Sequence, residues 1–298
     1  MRNITLKQLR YFDALARHRH FGQAAEACNI SQPALSLQMK ELETLFGVPL
    51  IERGARDIRL SPLGEDLVIR ARDILRAVDD LEDLARTALG PMSGRLRLGV
   101  IPTVAPYLLP RVIKALSRDY PDLDLRPRET VTQSLLEDLG AGQLDAAILA
   151  LPVSQAALHE EPLFEEEFVL VRHRDDADKP VPPAQDLREM RLLLLEEGHC
   201  FRDQAIAFCN LSSGPRREMM EGSSLTTLVQ MVGAGIGVTL IPEIAVPIEQ
   251  GAASVSVARL PSPRPKRRIG MVWRRSSPIA DSLVRIAEVI RGVARVSQ

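Results

Sequence analysis

The sequence is poor in cysteine, in long apolar runs and in histidines grouped at metal-ligand spacing, and each shortage removes a class of protein. Three cysteines in 298 residues, Cys28, Cys200 and Cys209, do not make a disulfide framework. In a reducing compartment any bond among them is transient and regulatory. No run of about 18 apolar residues occurs, which argues against a membrane span. The N-terminal stretch MRNITLKQLRYFD lacks the apolar core of a secretory signal. We therefore expect a cytoplasmic protein with no membrane partner. His199 stands beside Cys200, but the other histidines (His18, His20, His159 and His173) supply no second or third ligand at metal spacing. No metal site and no cofactor is expected.

What is present is a chain long enough for about two domains, with 26% charged residues, as in a soluble globular protein. Charge is uneven along it. Residues 1–62 carry nine Lys and Arg against six Asp and Glu, a bias that favours nucleic-acid contact at that end.

The first 60 residues hold three short helical patterns. Thr5 precedes Leu9, Phe12, Leu15 and Ala16 at helical spacing. A second helix runs from about Gly22 to Cys28, where the cysteine is a small core residue. After a break at Asn29 and Ile30, Ser31 caps a third helix with Pro33 in its first turn. Leu35, Met39, Leu42 and Phe46 form its buried face. Gln32, Ser36 and Lys40 line the opposite face, suited to base edges and phosphates in a major groove; the plainer alternative is an ordinary solvated face. PLIERGARDIRL at 49–60 reads as two strands around Gly54, a wing whose Arg53, Arg56 and Arg59 would neutralise phosphates.

A long helix then opens at Ser61 and Pro62 and stops at Gly90 and Pro91. Leu67, Ala71, Ile74, Val78, Leu81, Ala85 and Ala88 alternate by four and three along it. That repeat predicts a seam against a second copy rather than packing on its own domain, and hence a dimer that pairs two reading helices. From Arg95 strands alternate with helices, the rhythm of a mostly parallel sheet: RLRLGVIP, PYLLPRVIKALSRDY, DLDLRPR, TQSLLEDLGAGQ and LDAAILAL. A second round places strands at 167–172, 191–195, 237–241 and 268–273, with helices at 223–234 and 278–294. Two such units leave a cleft of the kind that binds ligands.

GHCFRDQAIAFC, Gly198 to Cys209, holds two of the three cysteines. Cys200 is flanked by His199 and Arg202, and nearby positive charge favours the reactive thiolate. Nine residues of continuous helix advance about 13.5 Å and turn about half a revolution, whereas a disulfide needs Cα atoms roughly 4.4–6.8 Å apart. Either the segment is not helical, or bonding Cys200 to Cys209 must unwind it.

AAEACNISQPALSLQMKELETLFGVPLIERG, followed by the long helix, resembles the winged helix-turn-helix of LysR-type transcriptional regulators. IPTVAPYLLP, GHCFRDQAIAFC and SLTTLVQMVGAGIGVTLIP together resemble the OxyR peroxide-sensor family within them. The resemblance implies an all-α winged helix-turn-helix DNA-binding domain (1–61) plus a long linker and dimerisation helix (62–90) and a hinge (91–94). It implies next a two-lobed α/β periplasmic-binding-protein-like regulatory domain (95–298), with lobe I at about 95–164 and 269–298 and lobe II at about 165–268. Ser31, Gln32, Pro33, Ser36, Lys40 and Arg53 fall at DNA-binding positions, although Leu37 stands where many members have arginine.

The resemblance further implies that Cys200 reacts with hydrogen peroxide and Cys209 resolves it into a disulfide, supported by His199, Asp203, Thr103, Thr132 and Arg267. Ala105 and Phe201 depart from the smaller residues frequent at those positions. The function implied is a transcription activator of antioxidant genes, not an enzyme. Its partners would be double-stranded promoter DNA, RNA polymerase, hydrogen peroxide and further copies of itself, as a dimer and as a tetramer of two dimers. Glutaredoxin or thioredoxin would reset it. Without the resemblance, Thr103 reads equally as a helix cap, and Arg267 reads better as part of a solvated basic loop, PRPKRR. Two other functions compete: a regulator that senses a small organic anion in the cleft, and a thiol peroxidase using Cys200.

Overall fold

The computed structural model describes residues 4–53, 58–87, 93–183, 186–187, 190–209 and 220–295. It divides into two compact units, one ending at Ala85 and one beginning at Arg86.

In the first unit, local capping sets the helices. Thr5 and Gln8 form a reciprocal capping box at the start of α1 (Leu6–His18). α2 (Phe21–Ala27) is capped by a histidine, His20, whose Nδ1 accepts from the Gly22 and Gln23 amides at 3.1 and 3.3 Å. Asn29 takes the left-handed conformation in the turn after α2. Ser31 then caps α3 (Gln32–Phe46) by accepting from the Ala34 amide. Leu35, Met39 and Leu42 are buried against Phe12, Leu15 and Ala24. Phe46, expected on the same face, is only partly buried. Two short antiparallel strands, β1 (Ile51–Arg53) and β2 (Ile58–Leu60), form the wing. Glu43 of α3 ties it down by accepting from the Leu50 and Ile51 amides at 2.8 and 3.1 Å.

α4 (Pro62–Thr87) corrects the expectation of one uniform seam. Its first turns pack on their own unit: Ala71 and Val68 are buried, Leu67 lies against the same core, and Arg72 Nε reaches Asp13 of α1 at 2.7 Å. Farther along, Ile74 and Leu81 stand 48% and 66% exposed. The apolar repeat is thus covered at its start and exposed farther along, because the first unit reaches only the start of a 26-residue rod. The Ala85 side chain and the whole of Ala88 lie outside the described residues.

The second unit begins as expected: β3 (Gly94–Val100), α5 (Ala105–Asp119), β4 (Leu123–Glu129), α6 (Thr132–Gly140) and β5 (Ala146–Leu151). Then comes β6 (Leu158–His173), far longer than the segment expected at 167–172. It is followed by β7 (Leu192–Leu195), α7 (Cys200–Phe208), β8 (Glu221–Gly222), α8 (Leu225–Gly233), β9 (Val238–Pro242), α9 (Val246–Glu249), an unforeseen β10 (Val255–Arg259), β11 (Lys266–Arg274) and α10 (Ala280–Arg295).

The sheet is mixed rather than mostly parallel. β3 pairs in parallel with β4 and β5, and β7 with β8 and β9, but β11 runs antiparallel to β5 and β6, and β6 antiparallel to β9 and β10. The reason is topological: β6 carries the chain out to the second core and β11 brings it back, and strands of opposite travel pair antiparallel. Their shared register slips by one residue at Leu163, opposite Ile269 and Gly270. A Cβ at Gly270 would fall 2.3 Å from Leu151 Cδ1, so a larger residue there would have to displace that side chain. Two apolar cores result, one around Leu98, Ile148, Trp273 and Ile286, the other around Phe168, Leu193, Leu228 and Ile241. Among the described residues no helix is long and apolar enough to cross a membrane.

Candidate functional site

The Gly198–Cys209 segment is helical, which settles the alternative left open by the spacing. Gly198 turns the chain into α7 with φ +94°, a conformation that side-chain-bearing residues rarely adopt. His199 is the N-cap but makes no side-chain capping bond, Cys200 is the first helical residue, and Cys209 is the C-cap, its amide donating to the Ala205 carbonyl at 3.0 Å. Both cysteines are thiols, Cys200 half-buried and Cys209 fully buried in the second core. An unbroken helix therefore separates two sulfurs that a bond would have to bring together.

Cys200 opens on a cavity of about 590 Å³, lined also by Thr132, Gln133, Glu137, Gln155 and Asp203. Cys200 begins α7 and Thr132 begins α6, and the N-caps of both helices, His199 and Val131, make no side-chain capping bond. Two sets of first-turn amides, each with partial positive charge, thus belong to this cavity. The Thr132 hydroxyl is buried without a hydrogen-bond partner among the described residues. Of the five supporting residues expected, Thr132 and Asp203 share this cavity with Cys200. Thr103 and His199 line a second one, of about 280 Å³, with Tyr107, Ser224 and Thr226.

The charges differ most from the sequence expectation. Arg202 does not serve Cys200: its Nη1 donates to the Leu195 carbonyl at 2.8 Å and to Glu221 Oε1 at 2.7 Å. Burial pushes the His199 imidazole below its ordinary pKa, with Glu196 opposing, so the ring is neutral at neutral pH. Neither residue supplies the positive charge expected from its place in the sequence.

Arg267 is not in a solvated loop. It lies in β11, 3% exposed, where its Nε donates to Glu166 Oε1 at 2.8 Å and its Nη1 to Thr103 Oγ1 at 2.8 Å. Thr103 accordingly does not cap α5, whose N-cap is Val104 without a side-chain bond. The guanidinium also sits 5.2 Å from the centroid of Phe201, whose ring is 4.7 Å from that of Phe168. Glu166 was missed, although a signal existed: Glu165, Glu166 and Glu167 lie opposite Arg268, Arg267 and Lys266 in register, so the acidic run answers the basic one.

Tyr107 and Glu249 were missed too. The Tyr107 hydroxyl donates to Glu249 Oε1 at 2.7 Å and Thr226 donates to the same oxygen at 2.8 Å. Burial and that carboxylate push the tyrosine pKa up, so Tyr107 holds its proton and pins α5 of the first core to α9 of the second.

In the first unit Ser31, Gln32, Pro33 and Lys40 are exposed and Ser36 is half-buried. Leu37 beside them is also exposed. Arg59 of β2 is exposed; the Arg53 side chain and all of Arg56 lie outside the described residues. Cys28 packs against the helical core, and burial pushes its thiol pKa up, away from reactivity.

Two family models cover these units. One, described as a bacterial regulatory helix-turn-helix protein of the lysR family, matches residues 6–65. The other, a LysR substrate binding domain, matches residues 90–295. The chain is 42% identical over 290 residues to the DNA-binding transcriptional dual regulator OxyR of Escherichia coli, covering 97% of this chain and 95% of that protein. It is similar to a full-length OxyR mutant of Pseudomonas aeruginosa (37% identity, TM-score 0.76, 98% and 97% of the two chains). It also resembles an OxyR mutant of Corynebacterium glutamicum with hydrogen peroxide bound (36% identity, TM-score 0.67, 99% and 94%).

Proposed function

The chain belongs to the LysR-type transcriptional regulators and, within them, to the OxyR family, and on that premise we propose that it is a hydrogen-peroxide-responsive transcription activator switched by a Cys200–Cys209 disulfide. The observation that carries the switch is the pair of thiols held apart by the intact α7, one on a polar cavity and one in an apolar core. In the first step the Cys200 thiolate attacks one peroxide oxygen and the O–O bond breaks. The departing hydroxide takes a proton to become water, leaving a sulfenic acid. The Thr132 hydroxyl, which has no partner of its own among the described residues and lines the same cavity, would donate to the peroxide and steady the charge on the departing oxygen. In the second step the Cys209 sulfur attacks that of Cys200, the S–S bond forms, and a second water leaves.

The second step needs α7 to unwind and Cys209 to leave its core. That refolding would alter the second unit and, through α4, the DNA contacts of the first. Gln32, Pro33, Ser36 and Lys40 would meet the major groove of promoter DNA and Arg53 its backbone. Ile74 and Leu81 would meet a second copy, with a tetramer of two dimers, RNA polymerase and a glutaredoxin or thioredoxin as further partners in the cytoplasm.

Footprinting on promoter DNA tests the reading: peroxide shifts the wild-type footprint, Cys200→Ser abolishes the shift, and peptide mapping finds Cys200 joined to Cys209. Both thiols recovered free after peroxide at doses that oxidise no other residue would sink it.

A further inference from the structure

Phe201 stands directly after the reactive thiol, and neither step of the oxidation uses it. Its ring is 3% exposed and held on two sides: Phe168 of β6 lies 4.7 Å away, ring to ring, at an interplanar angle of 54°, and the Arg267 guanidinium lies 5.2 Å from its centroid. Both neighbours are themselves immobilised. Phe168 is buried in β6 opposite Pro242 of β9, its amide donating to the Pro265 carbonyl, and Arg267 is bonded to Glu166 and to both the hydroxyl and the carbonyl of Thr103. The seat thus joins the first turn of α7 to the two strands that cross between the cores. Aromatic pairs prefer such tilted contacts, and a desolvated cation over a ring adds to them.

The seat constrains disulfide formation, so any role for it rests on the Cys200–Cys209 reading. Adjacent Cα atoms are about 3.8 Å apart, and Cys200 cannot move far toward Cys209 without drawing Phe201 from its place. We propose that Phe201 is a positioning residue that holds Cys200 at the head of an intact α7 and thereby sets the peroxide threshold of the switch. It acts after the sulfenic acid has formed, because the second sulfur gains access only once the ring lets go.

Phe201→Leu keeps an apolar side chain but removes the ring from both contacts, and Phe168→Leu removes one neighbour without altering α7. In the reduced full chain, hydrogen exchange of the 201–208 amides should quicken about tenfold in Phe201→Leu and in the same direction in Phe168→Leu. The Cys200–Cys209 midpoint potential should fall by about 30 mV, the two-electron equivalent of tenfold. Sulfenic acid formation at Cys200, trapped in a Cys209→Ser background, should stay within about twofold. Three outcomes overturn the proposal. Unchanged exchange and potential in a variant whose parent forms the disulfide would remove the role of Phe201 alone. A sulfenylation rate that falls well beyond twofold would make Phe201 part of the thiol pocket instead. A wild type that forms no Cys200–Cys209 bond would remove the switch and the threshold with it, a failure distinguishable from the other two.

Discussion

The two ends of α7 carry the same functional group in opposite surroundings. At the head, Cys200 is half-buried on a cavity with Thr132, Asp203 and the amino ends of two helices. At the foot, Cys209 is wholly buried among Leu193, Val229 and their neighbours in the second core. A thiol that must meet an oxidant needs access, whereas a thiol that must wait needs shelter. Because the two are kept apart in this way, joining them would require breaking both a helix and part of a core, and in the proposed switch that is how a local oxidation would acquire a long reach.

Substitution of the sulfurs themselves sharpens the contrast most. Cys209→Ser puts a hydroxyl into an apolar core and should lower the stability of the reduced protein by about 1–3 kcal/mol. Cys200→Ser, half-exposed, should stay within about 0.5 kcal/mol. Denaturant midpoints of the two variants measure the difference, and equal losses would erase the contrast.

The polar character of the head is tested next by Thr132→Val. If the orphaned hydroxyl serves the peroxide, its removal slows sulfenylation of Cys200 roughly tenfold, or about 1.4 kcal/mol of barrier. Native stability should not fall, since no hydrogen bond among the described residues is lost. A rate equal to wild type in stopped-flow trapping would disconnect Thr132 from the chemistry.

The smallest effect concerns His199. Its folded pKa lies below the ordinary value, so the neutral ring favours the fold above the unfolded pKa, and that contribution is lost as pH falls through the folded one. At about pH 7.5 the ring is uncharged in both states. His199→Asn should then change the sulfenylation rate less than about threefold and leave its profile between about pH 7 and 8 unaltered. A tenfold loss that deepens toward acid would restore the imidazolium as the charge beside the thiol.

Much of the first unit was legible because its signals are local. The Thr5 and Ser31 caps and the buried row Leu35, Met39 and Leu42 depend on residues three or four apart. The same local logic showed that an unbroken helix between Cys200 and Cys209 would bar a disulfide, and left open whether the segment is helical. It failed along β6, where Pro162 and the run Glu165–Glu167 interrupt the alternation that marks a strand; those glutamates are in a strand because β11 lies opposite with matching charge. It failed at the near half of the α4 seam as well, where Ala71 is buried and Leu67 packs on its own unit, since a periodic apolar row does not say whether its own domain already covers its beginning.

The sequence by itself determined where α1 and α3 begin, which residues face outward on α3, and that two thiols nine positions apart sit on a segment able to be a helix. Only the tertiary structure decided what surrounds them. Arg202 is drawn to Glu221 19 positions on, Arg267 to Glu166 101 positions back, and Tyr107 to Glu249 142 positions on. Caps and periodicity arise between neighbours a turn apart, so the chain states them directly. Charge pairing and desolvation are properties of what the fold brings alongside, and no reading of adjacent residues contains them.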